Sequence, residues 1–293
     1  MRARFRFTLA TIAAAVALLG WGAFVTSIDA GLAVPDWPSS FDSYDPFNPW
    51  PDWWTVTPIL AEHGHRLLGA LVGLLTLVLA VWTWRSDDRA WMRKLGFAAL
   101  ALVIFQGVLG GLRVVWVSLD LAVVHACVAQ LFFALLAAMA LFTSRTWQDL
   151  TGGRPEIDLP RAAWLAVAAV YIQIILGALL RHPGTGIDPM LAGLHMAWAF
   201  VALFAVILHS RVLRSTTDLR GLGRTIQVIV IAQVALGFVA YFVLLDERGM
   251  LQPSNLQVVV NSLHLIIGAA LFSLNVVGAL ALRRSLRLAT SAA

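Results

Sequence analysis

Residues 62–84 read EHGHRLLGALVGLLTLVLAVWTW, and the reading of this stretch decides the fold. Crossing a hydrocarbon core of about 30 Å takes roughly 20 mostly apolar residues in a helix. The run is long enough, and it lacks the strict alternation of a barrel strand, so it reads as a transmembrane helix. Seven further runs lie near 8–28, 93–113, 119–143, 161–181, 190–213, 223–246 and 256–282. The first follows Met-Arg-Ala-Arg-Phe-Arg, as a signal peptide would. Its apolar stretch is longer than a typical signal core and ends in no small-x-small site, so it is expected to be retained. Composition agrees with eight spans. Of 293 residues, 60% are hydrophobic and 13% are charged, too few charges to coat a soluble domain. Disorder requires low hydrophobicity, and a disulfide scaffold requires more than the single Cys127. The net charge of +5 comes with no basic cluster interleaved with aromatics, so membrane lipid is the expected partner and nucleic acid is not. The expected class is all-α and polytopic, with eight transmembrane helices.

Basic residues orient the spans. Seventeen of the 21 fall in five places: Arg2, Arg4 and Arg6; Arg85, Arg89, Arg93 and Lys94; Arg145, Arg154 and Arg161; Arg211, Arg214, Arg220 and Arg224; Arg283, Arg284 and Arg287. These are the N-terminus, every second connection and the C-terminus, so the positive-inside rule makes both termini cytoplasmic. The opposite connections hold Arg66, Arg113, Arg181 and Arg248. The first of them, 29–61, has no Lys or Arg but carries Asp29, Asp36, Asp42, Asp45 and Asp52. With Trp37, Trp50, Trp53 and Trp54 among prolines, it reads as a structured loop at the membrane surface.

The eight spans divide into two similar halves. Gln106-Gly-Val-Leu-Gly110 in span 3 is matched by Gln233-Val-Ala-Leu-Gly237 in span 7, and Gln173-Ile-Ile-Leu-Gly177 in span 5 has the same spacing. His65-Arg-Leu-Leu-Gly69 is matched by His264-Leu-Ile-Ile-Gly268. With four spans between equivalents, the halves share one topology and are related by an axis along the membrane normal. The expected organisation is an N-terminal half at 1–144, a linker at 145–160 containing Gly152, Gly153, Pro155 and Pro160, and a C-terminal half at 161–293. Packing through small residues accounts for each Gln-x-x-x-Gly taken singly about as well.

Four of the seven histidines are placed in parallel. His65, His125, His195 and His264 lie near the starts of spans 2, 4, 6 and 8, at similar depth toward the outer face. Each is followed four residues on by a small residue (Gly69, Ala129, Ala199, Gly268), on the same helix face. A flat macrocycle between helices needs such an arrangement: an axial nitrogen with cleared space a turn below. Interhelical hydrogen bonding is the bland alternative for an intramembrane histidine. Zinc is another, although Cys127 lies off the His125 face. Two bis-His haem sites are favoured, His65 with His125 and His195 with His264. His63, His182 and His209 break the pattern and read as interfacial.

Glu62 lies three residues before His65 on the same face, whereas Ala192 and Asn261 stand at that place before His195 and His264. A carboxylate beside a haem pocket suits proton acceptance. A helix-dipole role near an N-terminus is the plainer reading. Arg66, Arg113 and Arg181 are candidates to pair haem propionates, and read equally as interface anchors.

Gly31-Leu-Ala-Val-Pro-Asp-Trp-Pro38, Glu62-His-Gly-His-Arg66, Gln106-Gly-Val-Leu-Gly-Gly111, Val124-His125, Leu194-His195 and Leu263-His264 together resemble the haem A synthase family. The resemblance implies two pseudo-symmetric four-helix bundles, the first receiving haem O as substrate and the second holding haem b. It implies an oxidoreductase that converts the 8-methyl of haem O to the formyl of haem A by successive hydroxylations, for cytochrome oxidase. His65 and His125 match the substrate-side ligands, Glu62 the functional carboxylate, and His195 and His264 the haem b ligands. Implied partners are the haem O synthase and a quinone or other electron acceptor; a homo-oligomer is also compatible. The implied location is a bacterial cell membrane, with the site toward the outer face. Two rivals stand beside this expectation: a bis-His electron-transfer cytochrome and a haem-delivery factor. The chain departs from some members in having no cysteine pair in residues 29–61, which places a cysteine relay of electrons in doubt.

Overall fold

The computed structural model describes residues 2–157, 159–181, 188–246 and 253–291. His182 and Arg248, both read above from the sequence, lie outside these. Among the described residues, eight helices are long and apolar enough to cross a membrane: α1 (Arg2–Ser27), α3 (Thr57–Ser86), α4 (Ala90–Val115), α5 (Leu119–Thr143), α7 (Arg161–Arg181), α8 (Pro189–Arg214), α9 (Arg220–Asp246) and α10 (Asn255–Ser291). They coincide with the eight expected spans, and α10 runs nine residues past its expected end. Two short helices, α2 (Asp52–Thr55) and α6 (Arg145–Gln148), and a 3-10 turn at Thr217–Leu219 lie in connections. No strand occurs among the described residues. Without water, each backbone N–H and C=O must be satisfied within the segment, and the helix does that.

Helix starts follow local chemistry. Pro58 stands in the first turn of α3, where a missing N–H costs nothing. The Asp188 carboxylate caps α8 by accepting from the N–H groups of Met190 (2.7 Å) and Leu191 (3.3 Å), with Pro189 next. The turn from α3 to α4 is held by a two-pronged pair, Arg89 Nε to Asp87 Oδ1 at 2.8 Å and Nη2 to Oδ2 at 2.7 Å.

The chain packs as two compact units that cut across the sequence halves: Phe7–Phe132 with Leu236–Ile266, and Met1–Arg6, Phe133–Ala235 and Ile267–Ala293. In the first, α3 packs along α4, with Gly96 set against Ala80 and Thr83, where a Cβ would lie 3.4 Å from the Ala80 Cα. In the second, α7 packs along α8 through buried Ala162, Ala163, Ala166 and Ala169, and Trp198 Nε1–H donates to the Ala169 carbonyl at 2.9 Å. Small residues let helix backbones approach where lipid supplies no hydrophobic drive.

Also in the second unit, the linker is fastened to α10. Gly153 N–H donates to Ser285 Oγ, and the same hydroxyl donates back to the Gly153 carbonyl, each at 3.0 Å. Thr151 donates to Asp218 through its N–H and its hydroxyl, both at 2.9 Å. Gly152 has φ 87°, and a Cβ there would meet the backbone of Ala289 at 2.9 Å, so only glycine suits the position.

Candidate functional site

The N-terminal part of α3 and the loop before it are built on one another. Glu62 is buried: its Oε2 accepts from the Val34 N–H at 2.9 Å, and its Oε1 pairs with Arg66 Nη2 at 2.9 Å. Arg66 reaches further into the loop. Its Nη1 donates to the carbonyls of Asp36 (2.7 Å) and Ser39 (2.9 Å), and its Nη2 to that of Val34 (3.0 Å). His63 faces the same loop. Its Nε2–H donates to the Pro46 carbonyl at 2.8 Å, which leaves Nδ1 to accept from the Ser40 hydroxyl at 3.2 Å. Its ring lies against Trp53. His63 is therefore 3% exposed rather than interfacial, because distant loop groups satisfy both nitrogens.

Within the loop, the Asp36 carboxylate accepts from the Ser39 hydroxyl (2.5 Å) and from the N–H groups of Phe41 (2.7 Å) and Asp42 (2.9 Å). Burial pushes its pKa up, and the bonds from Ser39, Asp42 and Phe41 outweigh it, leaving it below the ordinary carboxylate value. The same bonds hold Phe41 and Asp42 in the left-handed region, at φ 53° and 58°. Trp37 lies directly on Gly111 of α4, and the Arg113 guanidinium lies on Gly31 of the loop; a Cβ at either glycine would overlap its neighbour.

The three candidate arginines differ in their engagement. Arg66 has both terminal nitrogens on the loop and Glu62. Arg113 is half-buried, with Glu62, Asp29 and Arg66 as its charged neighbours, and its side chain makes no hydrogen bond or ion pair among the described residues. Arg181 ends α7 and is partly buried.

His65 on α3 and His125 on α5 belong to one unit, with His125, Arg113 and Arg66 the electrostatic neighbours of His65. Among the described residues, each imidazole has a buried Nδ1 without a partner, and its Nε2 makes no hydrogen bond. Each ring also rests on a glycine of another helix. A Cβ at Gly22 of α1 would lie 2.9 Å from His65 Cε1, and one at Gly110 of α4 would lie 3.2 Å from His125 Cε1. The pattern recurs. Gly177 of α7 seats His195 (3.1 Å), and Gly237 of α9 seats His264 (3.2 Å).

This explains the Gln-x-x-x-Gly spacing. The glycine admits the imidazole, and the glutamine one turn earlier binds the histidine's backbone. Gln106 Nε2 donates to the His125 carbonyl at 3.1 Å, and Gln173 Nε2 to the His195 carbonyl at 3.0 Å. In the sequence the spacing read as an internal repeat, or singly as small-residue packing.

The space one turn below the histidines is not uniform. Cβ atoms at Gly69 and Gly73 would meet nothing within 4 Å, and they line an apolar recess of about 310 Å³ with Leu77 of α3 and Leu100, Val103 and Ile104 of α4. Gly268, below His264, is instead filled by the Gln233 amide, 3.0 Å from where a Cβ would lie. His209, expected at the interface, is fully buried, with Nδ1 2.8 Å from Asn275 Oδ1.

The imidazoles of His65 and His125, on separate helices, seated on glycines and with Nε2 unengaged among the described residues, fit axial coordination of a haem iron. Fold and site thus define a helical membrane protein with matched histidines on separate helices and a buried carboxylate one turn before the first of them. Residues 54–189 match the family model for the cytochrome oxidase assembly protein, COX15-CtaA. The chain is also similar to proteins named Heme A synthase. It is 30% identical to that of Lysinibacillus sphaericus over 180 residues, covering 59% of this chain and 56% of the relative. It is 30% identical to that of Alkalihalophilus pseudofirmus, over 55% of this chain and 54% of the relative, and 31% identical to that of Symbiobacterium thermophilum, over 63% and 61%. These matches bear out the resemblance to the haem A synthase family read from the motifs. The chain spans little more than half the length of these relatives.

Proposed function

We propose that the protein is a haem A synthase, an oxidoreductase that converts the 8-methyl group of haem O to the formyl group of haem A. The observation that carries the reading is the pair of imidazoles, His65 and His125, each seated on a glycine with no hydrogen-bond partner among the described residues, with Glu62 buried one turn before His65 on α3. Haem O is the substrate of the N-terminal half (1–144), and haem b is the cofactor of the C-terminal half (161–293), the two joined by 145–160. His195 and His264 are assigned to haem b on their matched places in spans 6 and 8. When bound, haem b supplies one-electron redox chemistry.

The open space at Gly69, one turn after His65, against the filled space at Gly268, supports giving the bulkier substrate to the first half. His65 and His125 hold it from two helices. Arg113, whose guanidinium packs on Gly31 but makes no hydrogen bond among the described residues, is the propionate partner on that side; Arg66 keeps the loop closed over the site and excludes water. Arg181 is the corresponding candidate in the second half. Glu62 is the proton acceptor at the methyl carbon, its carboxylate held in place by Arg66 and the Val34 N–H. Electrons leave to a quinone or other acceptor, and haem O arrives from its synthase. By the distribution of basic residues, both termini are cytoplasmic and the site opens toward the outer face of a bacterial cell membrane.

Expression with a haem O source, followed by chromatography of the extracted haems, tests the reading. Haem A and its hydroxylated precursor are expected, and Glu62→Gln is expected to abolish both while haem b stays bound. Protein that carries haem b yet yields neither product would be a haem-binding cytochrome and not a synthase.

A further inference from the structure

Three of the four histidines sit on a helix that pairs a glycine with a glutamine one turn earlier, and the fourth does not. Gln106 and Gly110 hold His125, and Gln173 and Gly177 hold His195. Gly237 seats His264, with Gln233 one turn before it on α9. His65 has its glycine, Gly22, but the residue one turn before it is Leu18. The hydrogen bond between α1 and α3 falls elsewhere, from Trp21 Nε1 to the Ala61 carbonyl at 2.8 Å, one turn before His65. Among the described residues no side chain donates to the His65 carbonyl. The other polar residues of that turn, Glu62, His63 and Arg66, all bind the loop between Val34 and Pro46.

A second donor on a helical carbonyl fixes that turn to the neighbouring helix. A turn without one is held by whatever else it binds, and here that is the loop. A substrate must also enter and leave, so its two ligands have reason to be unequal where those of a resident group do not.

We propose that His65 is the yielding axial ligand of the substrate haem and His125 the fixed one, the loop docked on Glu62, His63 and Arg66 holding His65 in place. The inference rests on the reading of His65 and His125 as haem O ligands, and adds which of them lets go.

Full-length protein loaded with haem O, reduced and titrated with carbon monoxide, tests it, because the gas binds only where an axial ligand gives way. His65→Ala is expected to keep haem O through gel filtration and to bind carbon monoxide fully, whereas His125→Ala loses haem O. Leu18→Gln supplies the missing donor and lowers carbon monoxide affinity by about fivefold, the effect of one hydrogen bond, with haem content unchanged and Leu18→Met as the control. Gln106→Leu is the converse and lowers haem O retention by about the same factor. Equal loss of haem O from the two alanine variants, or retention in His125→Ala with loss in His65→Ala, overturns the inference and leaves the ligand assignment standing. An unchanged carbon monoxide affinity in Leu18→Gln together with unchanged retention in Gln106→Leu also overturns it. Haem O content equal to wild type in both alanine variants overturns the ligand assignment itself.

Discussion

Two connections in this chain, the loop 28–56 and the linker 149–160, are both pinned to transmembrane helices, and the means differ. The loop closes on buried charge: Glu62 and Arg66 face each other and between them take the Val34 N–H and three loop carbonyls. The linker is held mainly by hydroxyl groups, Ser285 to Gly153 and Thr151 to Asp218, the latter pair exposed. Buried charge binds strongly only while complete, since removal of one partner strands the other. Hydroxyl bonds are lost one at a time, each at small cost. The loop is therefore an all-or-none closure over the candidate site, and the linker a graded fastening.

Arg66→Ala should break this contrast most severely. It leaves Glu62 buried without its cation and costs about 3 kcal/mol. Limited proteolysis in nanodiscs should then cut within 34–50 while cleavage at the linker keeps its wild-type rate; equal acceleration at both sites would show the two connections to be coupled. Ser285→Ala should sharpen the contrast from the other side. Loss of both bonds to Gly153 costs about 1–2 kcal/mol and speeds cleavage of the linker alone. The smallest effect is acid loosening of the loop. The Asp36 pKa is lowered on folding, so its contribution is complete above the unfolded value of 3.8 and is lost as pH falls through the lower folded value. Tryptophan fluorescence followed from about pH 6 to about pH 3 should show that loss, and Asp36→Asn should flatten the profile.

The eight spans were legible because a bilayer imposes a length of apolar sequence that nothing else requires. The four matched histidines were legible from helical register. The packing partners were not. His63 and His209 read as interfacial because their partners, Ser40, Pro46 and Asn275, are 23, 17 and 66 residues away. Arg66 read as a propionate partner or an interface anchor because backbone carbonyls, its main acceptors, carry no sequence signature. The Gln-x-x-x-Gly spacing was visible, yet the role of the glutamine depends on the carbonyl of a histidine on the next span, which no spacing within one helix reveals.

The length of α10 has a consequence of its own. At 37 residues it measures about 55 Å, against a hydrocarbon core of about 30 Å. The excess carries Arg284, stacked over Trp147 at 4.5 Å, together with Ser285 and the carbonyls of the last turns. Because the linker is tied to that part, the fastening between the two halves of the sequence lies beyond the length of helix that a bilayer core occupies.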